Sequence, residues 1–190
     1  MTAAHPRAGA SGEASRRLPG LILAALIAGA CGVGAGSVAP ATFPPQNFGP
    51  SAATTGAVAA TRAALQQALG ARQLQVTEPQ VAFRPPESPR LAAAARSVVQ
   101  VVLPNDPAHG FISIYEFADD AAATDAGREQ AAYVASGPGR VQFPSDTQFV
   151  IRQLGPTIVF FTWSSNSPDP ATPKIRDALE AVGVGIPVPS

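Results

Sequence analysis

Apolar and polar positions follow three regimes along this chain. Leu18–Ala30 is a continuous run of apolar and small residues, 13 long, behind Arg16 and Arg17. Gly32 to about Gly56 has no hydrophobic periodicity and is rich in glycine, proline, serine and threonine. From Ala57 onward the apolar residues recur with helical or strand period.

Within the third regime, Val58, Leu65 and Leu69 form one stripe of a helix over 57–69, with Thr54 or Thr55 as cap and Gly70 as stop. Gln73–Thr77 alternates like a half-buried strand, and Val81 and Phe83 continue it past Pro79. Arg84–Arg90 reads as a loop, and Leu91–Ala95 as one helical turn capped by Ser88. Ser97–Leu103 and Gly110–Phe117 are β-rich runs about the turn formers Pro104–His109, which predicts an antiparallel hairpin. In the second run Phe111, Ser113, Tyr115 and Phe117 share a face, with Ile112, Ile114 and Glu116 on the other. A helix over 119–136 opens on acidic residues that complement its dipole and stops at Gly137-Pro138-Gly139.

Three strands are expected next, at 140–143, 148–153 and 157–163, the last two joined through Leu154-Gly155-Pro156. Thr157–Trp163 is nearly all apolar, as suits a central strand covered on both faces. A last helix over 172–182 sets Ile175, Leu179 and Val182 on one side, Gly183 closes it, and Ile186–Ser190 is a proline-punctuated tail. The fold class is therefore α+β: an antiparallel sheet of five or six strands with two or three helices packed mainly on one face, in the order α-βββ-α-ββ(β)-α. That order hints at two αβββ halves.

Composition adds limits. The 190 residues suit one domain, and 13 basic against 13 acidic side chains argue against a nucleic-acid partner. The single cysteine, Cys31, excludes an internal disulfide. The apolar run before it is too short for a span of roughly 20 residues and matches the h-region of an export signal. Ala28-Gly29-Ala30 suits cleavage just before Cys31. Ser15-Arg16-Arg17 resembles a twin-arginine signal, but Pro19 replaces the large apolar residue of that motif and favours a plain positive n-region. Residues 1–31 are read as a signal peptide, 32–56 as a disordered tether and 57–190 as the globular domain. A tether of about 25 such residues has a mean reach on the order of 25–30 Å.

Ala28 to Cys31 resembles the lipobox of bacterial lipoproteins, in which the cysteine is acylated; Ala28 stands where that family favours leucine. Three fates are open: lipid attachment at Cys31, which leads, plain cleavage, and an uncleaved anchor running toward Val38. From Ala64 to Val188 the chain resembles uncharacterised lipoproteins of bacteria with GC-rich genomes. The resemblance rests on Leu65–Gly70, Ile114–Asp119 with the alanine-rich helix after it, Gly155–Phe161, and Leu179 with Gly183. Such proteins often carry a Pro-His-Phe-Tyr type segment where this chain has Asp146-Thr147-Gln148-Phe149, so no ligand role of that histidine carries over. The resemblance implies a small α+β domain held by lipid on the extracytoplasmic face of the cell membrane, and supplies no activity.

Candidate chemistry is sparse. His109 beside Asp106, with Ser113 or Ser97 as nucleophile, would suit acid–base work, although turn-forming explains the same residues. Asp119, Asp120 and Asp125 are the best local oxygen cluster for calcium, and helix opening accounts for them. No catalytic, cofactor or metal site is therefore assigned. The speculative ligand platform is Trp163, next to Ser164, Ser165 and Asn166, with Glu116 as the one acid set in a strand. The leading expectation is a non-catalytic binding or scaffolding domain for a protein or saccharide. Its alternative is a cell-envelope hydrolase using Glu116 or Asp146 beside Trp163, and an assembly subunit is a third reading.

Overall fold

A computed structural model describes residues 55–190. The signal-like run, Cys31 and the tether up to residue 54 lie outside the described residues. Thr55 accepts a hydrogen bond from the Val58 amide and opens helix α1, Gly56–Gly70, whose buried stripe is Val58, Thr61, Leu65 and Leu69. Gly70 stays helical, and Gln73 takes the left-handed turn instead at φ 61. Strand β1 is only Val76–Thr77. Val81 and Phe83 do not extend it: Val81 is exposed, and Phe83 leaves to stack on Phe111 with ring centroids 4.4 Å apart.

Helix α2, Pro89–Ala93, begins two residues before the expected turn, because Pro89 is pre-set for a first helical position. Strands β2, Ala95–Val101, and β3, Phe111–Glu116, pair antiparallel as expected, with Val99 opposite Ile112 and Ser97 opposite Ile114. Asp119 caps α3, Asp120–Ala135. The expected strand at 140–143 is absent. Ser136 caps a short helix there, α4 (Gly137–Arg140), and the Arg140 guanidinium donates to the carbonyls of Thr147 and Ser145, closing the segment into a turn. Strands β4, Thr147–Leu154, and β5, Thr157–Ser164, form the second hairpin. After α5, Thr172–Glu180, Gly183 (φ 57) turns the chain into β6, Val184–Gly185, which pairs with β4.

The sheet has six strands in the order β1-β2-β3-β5-β4-β6, all antiparallel neighbours. The sixth strand follows the last helix rather than preceding the second hairpin, so the two αβββ halves are not realised. Helices also cover both faces, not mainly one. Leu65 and Leu69 of α1 and Ile175, Ala178 and Leu179 of α5 pack on Val99, Ile112, Ile114, Val159 and Phe161. On the reverse face Leu91 of α2 and Ala123, Ala126, Ala131 and Val134 of α3 pack on Tyr115, Ile151, Ile158 and Phe160. The reason lies in β3 and β5, where consecutive residues are buried and each strand needs cover on two sides. Among the described residues no helix is long and apolar enough to cross a membrane.

Candidate functional site

Each residue singled out within the described residues has a definite place, and the sheet register decides which can meet. Glu116 ends β3 opposite Thr157 at the start of β5. Its carboxylate accepts from the Thr55 hydroxyl at 2.5 Å, joining the sheet to the cap of α1. Trp163 lies near the far end of β5, opposite Gln148. Trp163 is six residue steps along the strand from Thr157, roughly 20 Å. Glu116 and Trp163 therefore stand at opposite ends of the sheet.

The Trp163 ring packs half-buried against the α1–α5 core. The Arg176 guanidinium lies 5.6 Å from its centroid, a cation–π contact. Arg176 is in turn hydrogen-bonded by its Nε to Asp177 at 2.9 Å, a bond that raises the guanidinium pKa and lowers that of the carboxyl. Asp146 precedes β4 and accepts from the Ser164 hydroxyl and, at 3.1 Å, from the Asn166 amide. The Ser164 bond is the main cause holding its pKa below the ordinary carboxylate value. Such a group is an anion at neutral pH, suited to accept hydrogen bonds and unsuited to deliver a proton. Successive strand residues point to opposite faces, so Ser164 and the carboxylate it holds lie across the sheet from Trp163.

His109 and Asp106 are in contact through Nδ1 and Oδ1. The second Asp106 oxygen accepts from the Ser167 hydroxyl at 2.9 Å. The carboxylate thus sits between imidazole and hydroxyl, whereas activating a serine needs the imidazole in the middle. Neither serine named from sequence joins this pair: Ser97 accepts from Arg62 at 2.8 Å, and the Ser113 hydroxyl is fully buried without a hydrogen-bond partner. Asp119 accepts from the Ala122 amide at 2.8 Å, and Asp125 faces Arg90 at 3.7 Å. These acids serve separate structural roles, and no group of three metal-ligating side chains occurs among the described residues.

One polar cluster escaped the sequence reading. Glu87, in the stretch read as a loop, has a side chain only 2% exposed. It accepts from Arg84 at 2.8 Å, Arg96 at 2.6 Å and the Tyr115 hydroxyl at 2.7 Å. Burial, followed by the nearby carboxylate, raises the Tyr115 pKa well above its ordinary value. Beside it the Gln130 side chain accepts from the Ser88 amide at 2.6 Å and donates to the Pro86 carbonyl at 3.2 Å. Together these contacts clamp the proline-rich segment onto the α3 face of the sheet. The only sequence signal for the clamp is the Arg84–Glu87 spacing, which is common on exposed surfaces too.

Concave surface lies elsewhere. A shallow apolar depression of about 780 Å³ is walled by Pro89, Ala93, Ala132 and Tyr133, with Arg90 and Glu129 at its rim. Two grooves of about 410 and 450 Å³ flank Phe149 between β4 and the C-terminal tail. Glu116, Asp146 and Trp163 line none of the three. Comparison with family models, with curated proteins and with solved structures finds no match to this chain.

Proposed function

We propose that this protein is a lipid-anchored extracytoplasmic domain that binds or scaffolds a protein or saccharide partner without catalysis. The observation that carries the reading is the placement of Cys31, the sole thiol, directly after an arginine-led run of 13 apolar and small residues. One acyl chain anchors marginally at about 0.8 kcal/mol per buried methylene, whereas two or three hold firmly. Further support comes from the way Glu116, Asp146 and Trp163 are each taken up by a different neighbour. The alternative, a hydrolase using Glu116 or Asp146 beside a Trp163 platform, would have to draw on Glu116 across the length of β5 or on an Asp146 already held by Ser164 and Asn166.

Mass spectrometry of the N-terminal peptide from membranes is expected to find acylated Cys31. Cys31→Ser is expected to move the protein into the soluble fraction or to leave its precursor unprocessed. An unmodified Cys31 on a membrane-bound wild type would overturn the anchor. Crosslinking in intact cells is expected to trap a partner on the folded domain, and hydrolysis of envelope glycans by the purified chain would overturn the non-catalytic reading.

A further inference from the structure

The outer edge of β4 is occupied at both ends and open between them. Thr147 donates its N–H to the Pro144 carbonyl at 3.1 Å, and its own carbonyl accepts from the Arg140 guanidinium at 3.0 Å. Further along, the Ile151 carbonyl accepts from the Ile186 amide at 3.0 Å. None of these bonds goes to β5. In a paired antiparallel strand, residues two apart direct their N–H and C=O to the same side. Phe149 stands midway between Thr147 and Ile151 in the β4–β5 register, so its N–H and C=O also face away from β5. Among the described residues no hydrogen bond meets them there.

The two grooves of about 410 and 450 Å³ open here, and Phe149 lines both. Their charge is distinctive. Arg62, Arg72, Arg84, Arg90, Arg96 and Arg176 each face a carboxylate. Arg152 lines one groove and Arg140 the other, and among the described residues both bond to main-chain carbonyls and to no carboxylate. Arg128, which also lacks one, lines neither groove. Glu180 is the only acid on either lining, against the two guanidinium groups. Unpaired main-chain groups on a strand edge are a template for an added strand, and a lining of one charge selects its opposite. We propose, on the reading that the domain binds a protein, that the β4 edge at Phe149 receives an extended acidic segment of that partner. Its main chain pairs with the N–H and C=O of Phe149, and its carboxylates meet Arg140 and Arg152.

The test uses the full chain in detergent micelles at low salt, with a labelled octapeptide of alternating aspartate and valine as probe. Fluorescence anisotropy is expected to show it binding at least about tenfold tighter than the same peptide with lysine for aspartate. Hydrogen exchange should show the Phe149 amide fast in the free chain and slowed by the peptide, while the Gln148 and Val150 amides, which face β5, are slow in both. Arg140→Gln is expected to weaken binding about tenfold, and Arg128→Gln to leave it unchanged. Slow exchange at Val150 in the Arg140 variant checks that the hairpin is intact. A Phe149 amide equally fast with and without the peptide at its highest soluble concentration would overturn the proposal. So would binding unaltered by Arg140→Gln, or equal binding of the peptide N-methylated throughout, since charge alone would then account for it. If crosslinking in intact cells still traps a partner after such a result, the site at Phe149 falls and the binding reading stands.

Discussion

At the scale of single residues, the side chain with most at stake is Glu87. It is buried between two guanidinium groups and a phenol, each of which it satisfies. Removing one member of such a cluster leaves the others desolvated and short of a partner. Glu87→Ala is expected to cost about 3 kcal/mol, read from the urea midpoint, with Arg84 contributing little because it is substantially solvated. Tyr115 adds a pH dependence. Its folded pKa lies above the unfolded value of about 10, so the unfolded chain releases the proton first. The stabilisation is complete below that value and is lost as pH rises from it toward the folded pKa. Tyrosinate absorbance during alkaline titration is expected to show Tyr115 ionising only with unfolding, and Tyr115→Phe should lose that part of the alkaline transition.

At the scale of elements, each end is set by a few local contacts. Gly183 is the clearest case, with φ 57 at the exit of α5 and a position where a β-carbon would meet the Gln153 carbonyl. Arg152 adds to the same junction, donating to the carbonyls of Glu180, Val182 and Gly183 at 2.8–2.9 Å, where a cation suits the helix end. Gly183→Ala is expected to cost about 2 kcal/mol and to raise amide exchange first in β6, because strain and clash fall on the turn that delivers it. The starts of α1 and α3 were legible because Thr55 and Asp119 are capping residues ahead of periodic runs. The 140–143 segment has a strand-like pattern because Val141 and Phe143 alternate about Gln142, while the bonds of Arg140 that fold it back are not visible in a short window.

At the scale of the whole molecule, the sheet is a partition between two cores. Phe160 and Phe161 are neighbours on β5, each about 1% exposed, and belong to opposite cores. Phe160→Ala and Phe161→Ala are each expected to cost about 3–5 kcal/mol in urea unfolding. A sheet with helices on one face alone would make one of the two mild, so the pair tests the architecture directly. The same partition bears on the candidate site. Alternation sends Trp163 and Ser164 to different sides, and strand length keeps Glu116 from both. Side chains flagged for the same chemistry in the sequence thus reach three separate surroundings.

By itself the sequence determined the fold class, both long hairpins and the three principal helices, because these follow from caps, periodicity and turn residues within a dozen positions. The proposed lipid attachment at Cys31 likewise rests on contiguous residues alone. Only the tertiary structure decided that helices cover both faces, that Glu87 is buried, and that Glu116 and Trp163 stand apart. It also decided that Val184–Gly185, after the last helix, adds a sixth strand beside β4. Each of these depends on contacts between residues far apart in the chain, and burial in this fold is set by which surfaces pair across the sheet. Local pattern records which faces are apolar; it does not record what covers them.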